Sequence, residues 1–510
     1  MTPISGGLAS IIQRQAEQGA DRIALHFEGQ DFSYSAMWQS IVATQGKLAA
    51  LGIQAGYRVA YLGLNHPAML VLLFALARLG GILVPLNYRL AEPELLDILS
   101  HAGASLLLSD VTHLSAAERL TAGGAVRLLA VTNLVCSVDA VTAPMPQAET
   151  DVIEATGSVG EAAAPVLLVY TSGTTGKPKG ALHTQAGLLA NCAISREVHG
   201  FTSADHVLTV LPLFHVGGLC IQTLPALHAG ARVTLHARFD AGNWLDDVAQ
   251  LLPTTSLMVP ATMRAVLEHP NFSATDLSSL RQLIAGSSQV PISLIAAFHA
   301  RHVPVGQIYG ATETGPVSIC LGREAATSQV GSIGKPGPGV DIRLVDEAGC
   351  DVIRGDVGEI WIRAPNVMQG YWRDPGNPAF RGGWFHTGDL ARCDANGCYW
   401  VVGRCKDMII SGGENIYPAE IENLLADCPQ IREAAAVGLP NARWGEVVVA
   451  VVVPRPGVQL DEAAVLDWLD GKLARFKLPR QVIFAKSLPK TALGKVQKNV
   501  LMEFVKRGSL

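Results

Sequence analysis

The run Tyr170-Thr-Ser-Gly-Thr-Thr-Gly-Lys-Pro-Lys-Gly180 constrains this chain more than any other stretch. It follows the apolar run Pro165-Val-Leu-Leu-Val169, which reads as a buried strand, and it leads toward a helix predicted to begin near Thr184. A strand, a Gly/Thr loop and a helix can turn several backbone N–H groups and hydroxyls toward one polyphosphate. The pattern departs from the Walker loop, which has four residues between its glycines and a hydroxyl residue after its lysine. Here only Thr174 and Thr175 separate Gly173 from Gly176, and Pro178 follows Lys177. An ordinary P-loop NTPase is disfavoured, while Thr171, Ser172, Gly173, Thr174, Thr175, Gly176 and Lys177 stand as phosphate-binding candidates.

The rest of the sequence sets that loop in a large α/β protein. At 510 residues the chain is long enough for several units of roughly 150 residues and a large core. Its net charge is −5 and its Lys and Arg residues form no basic stripe, which argues against a nucleic-acid partner. Nine dispersed cysteines without a C-x-x-C pair argue against a zinc ribbon or redox motif and point to reduced thiols in the cytoplasm. The first thirty residues show no signal-peptide pattern. The longest apolar stretch, Met69 to Leu86, is broken by Arg78 and Gly80-Gly81, so it reads as a buried helix and strand with no transmembrane segment.

Helical patterns and β-branched runs alternate through most of the chain, the mark of α/β layering. Pro93 and Gly103 punctuate a helix over 92–103, and strands are predicted near 105–108 and 126–131. A Gly/Ala/Pro-rich stretch over 141–164 reads as a connection between subdomains. A second boundary follows the strand-like Cys398-Tyr-Trp-Val-Val402, at the polar cluster Gly403-Arg-Cys-Lys-Asp407. Beyond it, a helix opening at Pro418 and strands near 434–437 and 447–453 read as a small separate domain.

Further motifs fall in order along the chain: Leu211-Pro-Leu-Phe-His-Val-Gly-Gly218, Ala285-Gly-Ser-Ser288, Gln307-Ile-Tyr-Gly-Ala-Thr-Glu-Thr-Gly315, Trp384-Phe-His-Thr-Gly-Asp389 and Pro489-Lys-Thr-Ala-Leu-Gly-Lys495. With the opening loop, this ordered set resembles the adenylate-forming superfamily of acyl-CoA synthetases, nonribosomal peptide adenylation domains and luciferases. The likeness spans roughly residue 20 to Gln497. It implies a large N-terminal AMP-binding domain of layered sheets and helices over 1–404, a hinge at 405–407 and a small mobile α+β lid over 408–510.

The resemblance also implies roles. Tyr309 would stack on adenine, with Gln307, Gly310, Gly286, Ser287 and Ser288 beside the nucleotide; the two serines are a modest departure from a segment richer in Ala or Pro. Thr312 would donate to the α-phosphate, and Glu313 would be the Mg²⁺ ligand, with Thr171 a second contact. Asp389 would hold the ribose diol together with Arg404. Lys406 falls at the hinge position, where many relatives carry aspartate. Lys495 would be catalytic, its ammonium group stabilising charge that grows as a carboxylate attacks the α-phosphorus of ATP. Each motif alone has an ordinary structural reading: a core imidazole at His215, a capping pair at Thr312-Glu313, a turn at Gly388-Asp389, a solvated charge at Lys495.

For the acceptor, Ser411-Gly-Gly-Glu-Asn-Ile-Tyr-Pro418 resembles the segment that places Gly412 and Gly413 along a pantetheine tunnel, and Trp444 matches a tunnel-lining position. The implied reaction is an ATP-dependent acid:CoA ligation through acyl-AMP, using ATP, Mg²⁺ and coenzyme A. A stand-alone enzyme loading a carrier protein and a non-catalytic acyl-adenylate sensor are the competing readings, and a homodimer is left open. The wall expected for the acyl group is His215, Val216, Gly217, Ile221, Ala285, Gly310, Ala311 and Val317. It offers no Lys or Arg for a second carboxylate, so the expected substrate is an apolar monocarboxylic acid, fatty or aromatic.

Overall fold

The computed structural model describes residues 6–131, 162–171, 178–288, 290–412, 414–491 and 494–508. The connection expected at 141–164 lies outside the described residues apart from 162–164, as do Ser172 to Lys177 and Gly413.

Two mostly parallel sheets carry the N-terminal lobe. The larger runs, in spatial order, Lys335–Pro336, Ile319–Leu321, Val305–Tyr309, Gln282–Gly286, Thr255–Met258, His206–Thr209, Arg232–Leu235, Ile23–Phe27 and Gln30–Ser33. From Val305–Tyr309 to Ile23–Phe27 every pairing is parallel. The second sheet runs Gly370–Tyr371, Lys179–Thr184, Pro165–Thr171, Ile82–Leu86, Arg58–Leu62, Ala104–Ser109 and Arg127–Ala130.

The twofold alternation of side chains along these strands sorts the core into layers. On one face of the larger sheet, Leu208, Met258, Leu283 and Val305 pack against the helices Ala241–Leu251, Pro260–Leu267 and Ile292–His299. The opposite face, through Val207, Leu257, Ile284 and Ile308, shares a core with Val59, Leu83, Leu106 and Leu167 of the second sheet. Helices Pro67–Leu79 and Gln185–His199 contribute to that shared core. Ala60, Val84, Leu107 and Leu168 form the outermost layer with helices Glu92–Ala102 and Leu114–Thr121.

The apolar stretch Met69 to Leu86 is therefore internal. The helix has Pro67 in its first turn, is buried continuously from Pro67 to Ala77 and ends at Gly80 in the left-handed region, before the strand Ile82–Leu86. Among the described residues, no helix is long and apolar enough to cross a membrane.

One sequence expectation is corrected at the opening loop. The strand Pro165–Thr171 is followed by the antiparallel strand Lys179–Thr184, with Thr171 opposite Lys179, before the helix Gln185–His199 begins. Thr184 does cap that helix, its hydroxyl accepting from Gly187 N at 3.0 Å. The loop thus joins the two strands of a hairpin, and the helix N-terminus lies at the hairpin's other end.

An antiparallel sheet built from Asp341–Val345, Gly358–Arg363, Trp384–Cys393, Phe380–Arg381 and Tyr399–Arg404 closes the N-terminal lobe. After the short turn Cys405–Asp407 the chain forms a lobe with its own core. There the long strands Ile431–Asn441 and Gly445–Pro454 pair along their length, and Ile421, Leu425, Val448, Ala450, Val452 and Leu469 fill one side.

Candidate active site

Ligands of open α/β sheets gather beyond the carboxyl ends of the parallel strands, and the sequence motifs leave from those ends. Ser287 follows the strand Gln282–Gly286, Gly310 follows the adjacent strand Val305–Tyr309, and His215 lies after His206–Thr209 in the same sheet. A Cβ on Gly217 would lie 3.1 Å from His215 Nδ1 and 3.6 Å from Ser287 Oγ, which fixes how closely two of these segments meet. At Gly310 a Cβ would fall 1.7 Å from Pro316 O, so only glycine fits there.

Asp389 is held from both sides. It lies opposite Arg404 in the antiparallel pairing, and Arg404 Nε donates to its Oδ1 at 2.7 Å. Tyr309 Oη donates to its Oδ2 at 2.8 Å. The Asp389 N–H donates to Thr387 Oγ1 at 3.0 Å. Gly388-Asp389 is thus part of the strand Trp384–Cys393 and not a turn between elements. Burial works against the Arg404 charge, but Asp389 and Asp407 outweigh it and hold its pKa above the usual arginine value. Burial, with the Asp389 carboxylate, pushes the Tyr309 phenol well above its ordinary range and keeps it a donor. Lone pairs remain on both Asp389 oxygens for a diol.

The Thr312–Thr314 turn also departs from its ordinary reading. Thr314, not Thr312 or Glu313, makes the local cap: its hydroxyl accepts from Ala311 N at 2.9 Å. Among the described residues only Tyr371 donates to the Glu313 carboxylate, from Oη to Oε1 at 2.7 Å. Burial and that carboxylate raise the Tyr371 pKa. No cluster of three or more His, Cys, Asp or Glu able to hold a metal occurs among the described residues. A single carboxylate suits Mg²⁺ that arrives on phosphate oxygens and keeps part of its water shell. Thr171 Oγ1 reaches Lys179 O at 3.5 Å, a weak contact that leaves the hydroxyl available.

Gln307 is buried, and its Nε2 donates to Ser332 O at 2.9 Å. That bond props the neighbouring segment and leaves the second amide N–H and Oε1 of Gln307 for another partner.

The acyl wall is partly reassigned. Val216, Ile221 and Val317 belong to the core shared by the two sheets, whereas Ala285 belongs to the core on the other face of the larger sheet. Strand alternation sends the Ala285 side chain away from the other three. Residues Gly217–Thr223 form a π-helical segment, an irregularity often found at functional sites. Asn191 ties this segment to Val317: its Nδ2 donates to Cys220 O at 2.7 Å, and its Oδ1 accepts from Val317 N at 3.1 Å and from Asn366 Nδ2 at 3.2 Å. Burial lowers the His215 pKa to about 4, so the ring is neutral at pH 7. His215 Nδ1 accepts from Gly217 N at 3.0 Å, which leaves Nε2 as the protonated, donating nitrogen.

The C-terminal lobe brings Lys495 to this cleft. A Cβ on the preceding Gly494 would lie 3.3 Å from Ala261 Cβ of the N-terminal lobe. Lys495 itself is solvent-exposed. Although the residue keeps accessible surface, enough protein surrounds its ammonium group for desolvation, with the Arg404 charge, to lower its pKa, Asp389 and Asp407 opposing. On the same lobe Gly412 N donates to Trp444 O at 2.8 Å, and Arg443 and Arg480 lie 4.9 and 5.4 Å from the Trp444 ring centroid. Lys406 is exposed within the Cys405–Asp407 turn.

Known proteins share this sequence pattern and fold. Residues 12–372 match the AMP-binding enzyme family and residues 420–495 match the AMP-binding enzyme C-terminal domain. The chain belongs to the AMP-binding enzyme family. An indoleacetate–CoA ligase from Aromatoleum aromaticum is 44% identical over 98% of this chain and 98% of that protein. A feruloyl-CoA synthase from an Amycolatopsis species is 40% identical over 96% of this chain and 98% of that protein. Among solved structures, ATP-bound MatB from Rhodopseudomonas palustris superposes with a TM-score of 0.88 at 31% identity, covering 98% of this chain and 100% of that one. This AMP-binding enzyme is an ATP-dependent, AMP-forming acid:CoA ligase that uses ATP, Mg²⁺ and coenzyme A. Sequence reasoning missed Tyr371 and Asn191, because each bonds a candidate residue, Glu313 or Val317, from a distant segment without a motif of its own.

Proposed function

We propose that the acid is an apolar aromatic monocarboxylic acid, of arylacetic or cinnamic type, and that its ring lies against His215, Val216, Gly217, Ile221, Ala311 and Val317. The observation that carries this reading is the uncharged wall. Its one titratable member, His215, is kept neutral by burial, so a second carboxylate would find no countercharge there. The similarity to ligases named for indoleacetate and ferulate supports the aromatic class over the fatty one.

In the first half-reaction a carboxylate oxygen forms a bond to the α-phosphorus of ATP and the bond to pyrophosphate breaks. Asp389 and Arg404 hold the ribose, Tyr309 packs on the adenine, and Thr312 and the 171–177 segment receive the phosphates. Glu313 would hold Mg²⁺, which when bound would supply charge neutralisation to the phosphates. Lys495 stabilises the negative charge that develops on the phosphoryl oxygens. In the second half-reaction the coenzyme A sulfur attacks the acyl carbon and AMP leaves, the thiol proton passing to solvent. For this step the C-terminal lobe turns about Lys406 and presents Gly412, Gly413 and Trp444.

Pyrophosphate release and thioester formation across an acid panel test the reading. Arylacetic or cinnamic acids should give the highest kcat/KM, with dicarboxylic acids at least about 100-fold lower, as expected for a buried unpaired charge. A preference for long-chain fatty acids or for a dicarboxylic acid would overturn it.

A further inference from the structure

Tyr371 lies 58 residues beyond Glu313 in sequence, yet it is bonded to it. The segment around it grips Glu313 twice: the Tyr371 phenol donates to the carboxylate at 2.7 Å, and Met368 N donates to the Glu313 main-chain oxygen at 2.8 Å. The same segment is joined to the phosphate hairpin. Gln369 N donates to Leu182 O at 2.8 Å, Trp372 N donates to Gly180 O at 2.7 Å, and Tyr371 pairs with Ala181. Lys179, opposite Thr171 in the hairpin, has its Nζ 5.1 Å from the Tyr371 ring centroid. Trp372 anchors the segment from behind: it is 3% exposed, and its Nε1 donates to His101 O at 3.1 Å.

A glutamate side chain free to rotate loses conformational entropy when it takes up a metal, and a fixed donor on one oxygen removes part of that loss in advance. Phenol donation to Oε1 leaves Oε2 without a donor among the described residues. We propose that Tyr371 is a positioning residue that pre-orients Glu313, so that the hairpin holding the phosphates and the carboxylate holding their metal are set by one strand. This rests on Glu313 being the metal ligand. Tyr371 does not touch the reacting atoms in this account; it acts through Glu313.

The test is equilibrium binding to the full-length protein, with Mn²⁺ as the probe ion followed by electron paramagnetic resonance and nucleotides followed by calorimetry. For Tyr371→Phe the dissociation constant of Mn²⁺–ATP should rise about 10-fold, the usual effect of losing a partner behind a metal ligand. AMP binding without metal should change less than about 2-fold, because Asp389 and Arg404 are untouched. In a Glu313→Gln background the Tyr371→Phe effect should vanish. Equal loss of Mn²⁺–ATP and metal-free AMP affinity would show a merely structural residue, and unchanged Mn²⁺–ATP affinity would remove the role altogether. If Glu313→Gln leaves Mn²⁺–ATP affinity unaltered, the metal-ligand reading of Glu313 fails first. If only Glu313→Gln has an effect, that reading stands and the role of Tyr371 falls.

Discussion

At Lys495 two opposing fields meet, desolvation and Arg404 on one side, Asp389 and Asp407 on the other, and the first pair wins. In the proposed mechanism the ammonium form is the one that stabilises phosphoryl charge, and its fraction falls as pH rises through the pKa. Because that pKa is lowered from the ordinary lysine value, the alkaline fall in adenylation should begin at lower pH than an unperturbed lysine would give. In Lys495→Arg the guanidinium does not titrate in that range, so the residual activity should lack the fall. ATP–pyrophosphate exchange followed against pH checks this, and an alkaline fall that persists in the arginine variant would assign it to another group. Part of the arrangement at this scale was legible in the sequence, whose motifs named Asp389, Arg404 and Lys495, and the structure brings these three together. Tyr371 and Asn191 were not legible, since a hydrogen bond across 58 or 126 residues leaves no local spacing to read.

Among the elements, the strand Lys179–Thr184 shows where sequence reading stops. Gly180, Ala181 and the near absence of β-branched residues give it little strand character, and its pairing with Pro165–Thr171 supplies what propensity does not. The helix that follows was legible because Thr184 caps it. The π-helical segment Gly217–Thr223 was not, for its register depends on partners elsewhere, among them Asn191 and Ser195. Asn191→Leu would strand Cys220 O and Val317 N without partners in a buried site. Denaturant unfolding should show a loss of about 2–4 kcal/mol, and the KM for the acid should rise while that for ATP holds. Unchanged stability would mean that the segment is held by other contacts.

For the whole molecule, two of the contacts between the lobes among the described residues fall on one helix, Pro260–Leu267 and its cap, while a Cβ on Gly403 would lie 3.6 Å from the Tyr417 ring at the hinge. Gly494 lies against Ala261 at one end, and Arg455 pairs with Glu268 at 3.5 Å at the other. With side chains 39% and 56% exposed, this ion pair contributes at most about 1 kcal/mol. Glu268→Lys should therefore slow adenylation by no more than about 5-fold at low salt, and adding Arg455→Glu should restore it. Failure of the charge swap to restore the rate would show that the pair does not hold this pose. The separate cores of the lobes follow from hydrophobic patterning in the sequence, but which face of the small lobe meets the cleft does not, because it depends on these few contacts. That choice of face is the centre of the account: this pose brings Lys495 beside Asp389 and Arg404, and in the proposed mechanism another would present Gly412 and Trp444. The most direct measurement is Lys495→Ala assayed in the two half-reactions separately. Adenylation should fall on the order of 100-fold or more, while thioester formation from pre-made acyl-adenylate and coenzyme A stays within about 3-fold of the unaltered enzyme. Equal losses in both half-reactions would contradict it.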